Sequence, residues 1–263
     1  MLKAIIFDCD GVIVDSEPLH LKAFQMTLAG YGILLTQEEY DQTYLAMDDK
    51  GCFETVMAAY HRPTDKTTIK KLIHQKMALY KIFSQQELYI YPGVSDLVKK
   101  IHRQYHLAIA SGAFRGEIKF ALDQAGIRSA FSVIVSAQDV KQGKPNPESF
   151  LTALAKLNQR YYSSAGVQQD FSGPAISGAS VAPSTGKAGG ASPPLIPLAV
   201  AAAECVVIED SVHGITAARL AGMKSVAVTN SYSRERLLPF ADRVVDSLEE
   251  LTLNDLENLC KTN

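Results

Sequence analysis

Ala4-Ile5-Ile6-Phe7-Asp8-Cys9-Asp10-Gly11-Val12-Ile13-Val14-Asp15-Ser16 carries an apolar run straight into two carboxylates. Side chains on a strand repeat every two residues, so a strand running to Asp10 places Asp8 and Asp10 on one face, where the apolar run ends. Carboxylates that close repel each other unless a positive charge lies between them. A hard cation such as Mg²⁺, which prefers oxygen ligands, is the usual solution. The plainer alternative is a polar strand end followed by a turn at Gly11.

Outward from this stretch, further strand-like runs end at Ser111, Ser136, Asp210 and Thr229, with a shorter one over residues 243–246. Helical patterns lie between most of them. Residues 93–104 put Val94, Leu97, Val98 and Ile101 on one face, and residues 116–125 do the same with Ile118, Ala121 and Leu122. Residues 147–157 and 213–221 complete the series. Strands alternating with helices predict right-handed crossovers and a parallel sheet covered on both faces, a doubly wound, Rossmann-like α/β core.

From Glu17 to about Tyr89 the alternation stops. Residues 19–30, 37–44, 50–61 and 65–83 all read as helices, with starts marked by Thr36 before Glu38 and Glu39 and by Thr64 before Asp65. The expected organisation is a core from residues 1–16 and 91–263 with a helical domain, residues 17–90, inserted after the first strand. Residues 161–199 are rich in Gly, Ser, Ala and Pro and are expected to form a flexible insertion. They lead into the start of the Cys205 strand, and ligands bind at the carboxyl ends of strands in such sheets. The insertion is therefore expected on the side away from Asp8 and Asp210.

A chain of 263 residues with a net charge of −2 gives no electrostatic case for nucleic acid or an acidic membrane surface. No apolar run reaches the ~18 residues that span a bilayer. Cys9, Cys52, Cys205 and Cys260 are widely spaced and form no C-x-x-C pair, which fits a reduced, cytoplasmic protein. The first strand begins at once, so no signal peptide is expected. A monomer or small homo-oligomer is expected.

Asp8-Cys9-Asp10-Gly11-Val12 resembles the first motif of the haloacid dehalogenase-like phosphohydrolases, and three further pieces follow in that superfamily's order. A strand ends in Ser111-Gly112; Lys144 sits in Gly143-Lys144-Pro145-Asn146-Pro147-Glu148; a third strand, Cys205-Val206-Val207-Ile208, ends in Glu209-Asp210-Ser211. The resemblance covers nearly the whole chain except residues 161–199. It implies that Asp8 is a nucleophile forming an aspartyl-phosphate and that Asp10 is the general acid and base. Relatives that cleave carbon–halogen bonds lack the second aspartate, so dehalogenation is disfavoured. It implies a Mg²⁺ site from Asp8, the Asp10 carbonyl, Asp210 and, directly or through water, Glu209. The alternative for Glu209-Asp210 is a helix N-cap pair. Ser111, with the N–H groups of Gly112 and Ala113, would hold the phosphate, and Lys144 would balance its charge.

The helical insertion resembles the cap of the subgroup containing beta-phosphoglucomutase and small sugar-phosphate phosphatases. His20 and Lys76 match cap positions of that subgroup, and both are equally readable as solvated helix residues. Lys50 stands where the mutase has an arginine that grips a distal phosphate, and it lacks the bidentate fork. Asp48 and Asp49 would oppose a second phosphate unless they face away. Arg115 is a candidate substrate contact from the core side, or a solvated first-turn residue. His102 and His106 have metal-like spacing by chance, since His106 begins a strand. The expected function is a Mg²⁺-dependent phosphatase of a small phosphorylated metabolite of the sugar-phosphate type. The rivals are a phosphosugar mutase and a non-catalytic phospho-acceptor domain of the response-regulator type.

Overall fold

A computed structural model describes residues 1–44, 47–164 and 199–261. Strand β1, Ala4–Phe7, is wholly buried. It stops short of the expected end at Asp10, because the chain folds into a turn at Gly11 (φ +73°) closed by the Gly11 N–H on the Val14 carbonyl at 2.8 Å. Strand β2, Val14–Asp15, leads into helix α1, Glu17–Ala29. Helix α2, Gln37–Glu39, is started by Thr36, whose hydroxyl accepts from the Glu39 N–H while the Glu39 carboxylate accepts from the Thr36 N–H. It continues as a π-helical turn over Tyr40–Tyr44, where the sequence pattern predicts plain α-helix.

Helix α3 is Asp49–Ala59 and helix α4 is Lys66–Glu87. Asp65 caps α4, taking the N–H groups of Thr67 and Thr68 at 3.0 Å, so the start falls one residue after the expected Thr64. Leu21, Phe24 and Leu28 of α1, Phe53, Val56 and Met57 of α3, and Ile69 and Leu72 of α4 bury one another in a hydrophobic cluster of their own. Strand β3, Tyr89–Ile90, then returns antiparallel to β2. This ribbon is absent from the sequence reading, because two residues are too short for alternation to register.

The remaining elements alternate as expected. They are α5 (Val94–Ile101), β4 (His106–Ala110), α6 (Arg115–Gln124), β5 (Val133–Val135), α7 (Glu148–Ser164), β6 (Cys205–Glu209), α8 (Val212–Leu220), β7 (Lys224–Val228), α9 (Arg234–Leu237), β8 (Arg243–Val245) and α10 (Leu253–Leu259). The six long strands form a parallel sheet in the order β5-β4-β1-β6-β7-β8. From central β1 the chain winds outward to β4 and β5, then returns to the other side of β1 for β6, β7 and β8. This reversal of direction leaves a crevice at the carboxyl ends of β1, β4 and β6.

Alternation along β1 separates two cores. Ile5 and Phe7 pack with Val94, Leu97 and Ile101 of α5 and Ile118 and Leu122 of α6. Ala4 and Ile6 pack with Phe150 and Ala153 of α7 and Ala217 and Ala218 of α8. The sheet is thus covered on both faces. Helix α7 runs on to Ser164, past the start expected for the Gly/Ser/Ala/Pro-rich insertion, and residues 165–198 lie outside the described residues. Asn158 binds both the Val200 carbonyl (3.0 Å) and the Val200 N–H (2.8 Å), so the two flanks meet ahead of the amino end of β6. No helix among the described residues is long and apolar enough to cross a membrane.

Gly93 joins β3 to α5 with φ +78°, and a Cβ there would stand 2.6 Å from the Glu249 backbone nitrogen. Gly93→Ala should therefore destabilise the protein by about 1–3 kcal/mol, measured as a lower urea midpoint at unchanged slope.

Candidate active site

The register of the three central strands brings the polar residues to one level. Phe7 pairs with Ile109 on β4 and with Ile208 on β6, so Asp8, Ala110 and Glu209 come next in step. The Asp8 N–H still bonds the Ile208 carbonyl at 2.9 Å, which holds Asp8 at the rim of the sheet. Asp8 follows Ala4 and Ile6 in alternation, and Glu209 follows Cys205 and Val207, so both carboxylates fall on the α7/α8 face. Lys144 arrives on that face from the loop before α7, its Nζ 5.0 Å above the Phe150 ring.

Lys144 Nζ donates to Glu209 Oε1 at 2.6 Å and lies 3.0 Å from Asp8 Oδ1. The second contact is an ion pair without the geometry of a hydrogen bond, and the buried Asp8 Oδ1 has no hydrogen-bond donor. Glu209 is fully buried, and its other oxygen accepts the N–H groups of Asp210 and Ser211, each at 2.9 Å. Burial works to raise the Glu209 carboxyl, but Lys144 and these donors hold it below its ordinary value. Burial pushes Asp8 up to about 7, helped by Glu209 and Asp10 and opposed by Lys144. Asp210 is also pushed well up, by burial and then by Glu209 and Asp8.

Ligand oxygens of Asp8, Glu209 and Asp210 lie within 4.8 Å of one another. With all three ionised against Lys144, two negative charges stand uncompensated, the charge of one divalent cation. The chemistry of the donor set, all carboxylate oxygen, fits a hard cation. So does the undonated Asp8 oxygen. Both Glu209 oxygens already have donors, which leaves Asp8 and Asp210 as the carboxylates available for direct ligation. Glycines make room for the acids: a Cβ at Gly11 would stand 2.0 Å from Asp210 Oδ2, and one at Gly214 would stand 1.7 Å from Glu209 Oε1. The N-cap of α8 is Ser211, whose hydroxyl accepts the Gly214 N–H at 3.0 Å, so Glu209-Asp210 is not the capping pair.

Asp10 stands apart from this acidic group. Strand continuity does not place it, since β1 has ended; the Gly11 turn does. Its carboxylate accepts from the Ser16 hydroxyl at 2.5 Å and the Ser111 hydroxyl at 3.4 Å. Burial raises its pKa, and these two hydroxyls and Lys144 oppose the rise. Ser111 follows β4, its N–H on the Val135 carbonyl at 3.1 Å. The Ala113 N–H is turned onto Ser111 Oγ at 3.0 Å, which removes it from the expected phosphate donors. A Cβ at Gly112 would meet nothing within 4 Å, so open space lies beside this loop. Arg115 is held by Asp139, with its N–H on Gln138, and is not free to reach a ligand without releasing that pair.

The α1–α4 block brings His20 and Lys76 together. Lys76 is 1% exposed, and its Nζ lies 2.7 Å from His20 Nδ1 and 2.6 Å from Asp49 Oδ1. Neither is a solvated helix residue. Asp48 faces away, capping α3 through the Gly51 N–H at 2.7 Å, whereas Asp49 points at Lys76. Lys50 is largely exposed, and its ion-pair partner is Glu54 of its own helix. Sequence reasoning missed Ser16, Glu17 and Glu117. Glu17 and Glu117 are each pushed up to about 7, chiefly by burial, with Asp10 adding to the rise. Ser16 stood in the opening motif, but nothing in its spacing pointed to Asp10. His102 Nδ1 hydrogen-bonds its own helix through the Val98 and Lys99 carbonyls.

The model of the haloacid dehalogenase-like hydrolase family matches residues 2–167, and a HAD-hydrolase-like model matches residues 141–251. The chain belongs to the haloacid dehalogenase-like hydrolase family and is an enzyme of that class. Fructose-1-phosphate phosphatase YqaB of Escherichia coli is 27% identical over 225 residues, covering 85% of this chain and 95% of that protein. The phosphorylated carbohydrates phosphatase of Thermotoga maritima is 29% identical over 158 residues, covering 60% of this chain and 71% of that protein. The crystal structure of CbbY from Rhodobacter sphaeroides in complex with phosphate superposes with a TM-score of 0.73 at 25% identity, covering 98% of this chain and 100% of that one.

Asp8, Glu17 and Glu117 hold protons up to about 7 when folded, against ordinary values of 3.8, 4.5 and 4.5. In that window these three carboxyls bind more protons in the folded metal-free chain than in the unfolded one, and His20, kept neutral when folded, offsets part of this, so stability should fall as pH rises from about 4 to about 7. Urea unfolding across the range checks the sign. Mg²⁺ at about 100 times its Kd should add about 2.7 kcal/mol of apparent stability. In thermal melts, Asp210→Asn should lose that gain while melting higher than wild type without metal. A wild-type melt indifferent to Mg²⁺ would refute the site.

Proposed function

We propose that this enzyme is a Mg²⁺-dependent phosphatase that hydrolyses a small phosphorylated metabolite of the sugar-phosphate class through an aspartyl-phosphate on Asp8. The observation that carries this reading is the contrast between two nearby aspartates. Asp8 lies against Lys144 and two further carboxylates. Asp10 is held by two hydroxyls, away from that group. A carboxylate beside an ammonium is placed to act as a nucleophile, and a carboxyl held by hydroxyls with its pKa raised is placed to carry a proton. The sugar-phosphate class is supported by the relatives, a fructose-1-phosphate phosphatase and a phosphorylated carbohydrates phosphatase.

In the first half-reaction Ser111, the Gly112 N–H and Lys144 orient the phosphoryl group in line with Asp8. An Asp8 oxygen forms the new bond to phosphorus as the bond to the sugar oxygen breaks. Asp10 gives that oxygen its proton, a task suited to a carboxyl whose pKa is raised. In the second half-reaction Asp10 takes a proton from water, the water oxygen attacks phosphorus, and the Asp8 carboxylate leaves. Asp8, the Asp10 carbonyl and Asp210 would hold Mg²⁺, which would supply positive charge for the phosphoryl group, and Glu209 fixes Lys144 and the following loop. Helices α1–α4, residues 17–90 with the β2/β3 ribbon as hinge, act as a cap that excludes bulk water. Four buried free cysteines support a reducing, cytoplasmic setting.

A panel of sugar and polyol phosphates, assayed for inorganic phosphate with Mg²⁺ and with chelator, tests the reading. Chelator-sensitive release over many turnovers is expected. Isomerised sugar phosphate without free phosphate would replace hydrolysis by mutase chemistry, and a single stoichiometric phosphorylation would mean a phospho-acceptor domain. Asp8→Asn should lower kcat by about 10³-fold or more with little change in melting temperature. Retained turnover would remove Asp8 as the nucleophile.

A further inference from the structure

The cap presents one buried cation beside the Asp10 end of the site, and that cation is already neutralised. An ammonium has three N–H groups. Lys76 directs them at Asp49 Oδ1 (2.6 Å) and His20 Nδ1 (2.7 Å), with the Phe24 ring centroid 4.8 Å from Nζ and that of Tyr80 5.5 Å away. His20 stacks on Tyr80 at 4.2 Å and is kept neutral by burial and by the Lys76 charge. With Nδ1 accepting from Lys76, the proton of the neutral ring sits on Nε2. His20 lies one turn after Ser16, its N–H on the Ser16 carbonyl at 3.0 Å, and the Ser16 hydroxyl holds Asp10 at 2.5 Å, which puts this group on the seam between the cap and Asp10, with Glu17 and Glu117 feeling both charges. The seam therefore offers one neutral N–H donor, the second oxygen of Asp49 and two further carboxyl groups. Such a set matches hydroxyl groups, which donate and accept, and its buried cation, Lys76, is already paired with Asp49.

We propose that Asp49 is a specificity-determining residue: by holding Lys76 it restricts the leaving group to an uncharged, hydroxyl-bearing carbon skeleton and turns away bisphosphates. The proposal rests on the phosphatase reading for its reaction. It adds that selection between substrates is made by charge cancellation in the cap.

The test is kcat/KM for fructose 1-phosphate and for fructose 1,6-bisphosphate with wild type, Asp49→Asn and Asp49→Glu. Wild type should favour the monophosphate by about tenfold or more, and Asp49→Asn, which frees the Lys76 charge, should narrow that ratio by about tenfold through a gain on the bisphosphate. Asp49→Glu, which keeps the carboxylate, should preserve the preference. Equal use of both sugars by wild type, or an unchanged ratio in folded Asp49→Asn, overturns the proposal. If Asp49→Asn does not fold, wild type and Asp49→Glu decide it. If wild type turns over neither sugar, the phosphatase reading fails for this substrate class. Calorimetric binding of the two sugars to wild type and Asp49→Asn then judges Asp49 separately: a monophosphate preference that Asp49→Asn loses upholds the proposal, and tighter binding of the bisphosphate by wild type or a preference unchanged in Asp49→Asn overturns it.

Discussion

The bridge from Lys144 to Glu209 and Asp8 is the contact on which the site depends. Three carboxylates are gathered at the rim of a buried parallel sheet, where water screens them poorly and their repulsion is large. One ammonium, fixed between two of them, lets Glu209 stay ionised at full burial. Removing Lys144 would leave Glu209 as an uncompensated buried charge, which is strongly destabilising. Two carboxylates remain short of positive charge even with Lys144 in place. That deficit fits a divalent cation.

The deficit is maintained by the scaffold. The register of β1 with β4 and β6 sets Asp8 and Glu209 in step, and the backbone bond from Asp8 to Ile208 keeps the nucleophile candidate from drifting. The small residues Ala4, Ala108, Ala110, Ala153, Ala217 and Ala218 let α7 and α8 approach that face of the sheet. Close approach of α7 brings the Lys144 loop in. The other face, filled by larger side chains, carries no acid of the cluster. A single sheet thus separates stability, on the α5/α6 side, from charge, on the α7/α8 side.

The cap repeats the same physics with the opposite sign. Lys76 is a buried cation that needs a counter-charge, and Asp49 supplies it. In the core the charges are left unequal, which fits a cation at the acidic group. In the cap the two charges are balanced.

The sequence alone determined the class of fold and most of the core site. Hydrophobic periodicity is local, so the alternation of strands and helices, the helical block after β1 and the strand-end positions of Asp8, Ser111 and Glu209-Asp210 could all be read along the chain. The family resemblance added Lys144, whose loop carries no periodic signal. Only the tertiary structure decided which charges meet. The partners of Lys76 lie 27 and 56 residues away on other helices, and Ser16 reaches Asp10 because a turn at Gly11 doubles the chain back. The β2/β3 ribbon, the diversion of the Ala113 N–H and the capture of Arg115 by Asp139 depend likewise on distances between segments. Pairing energies fall with spatial separation, and sequence separation does not report that quantity.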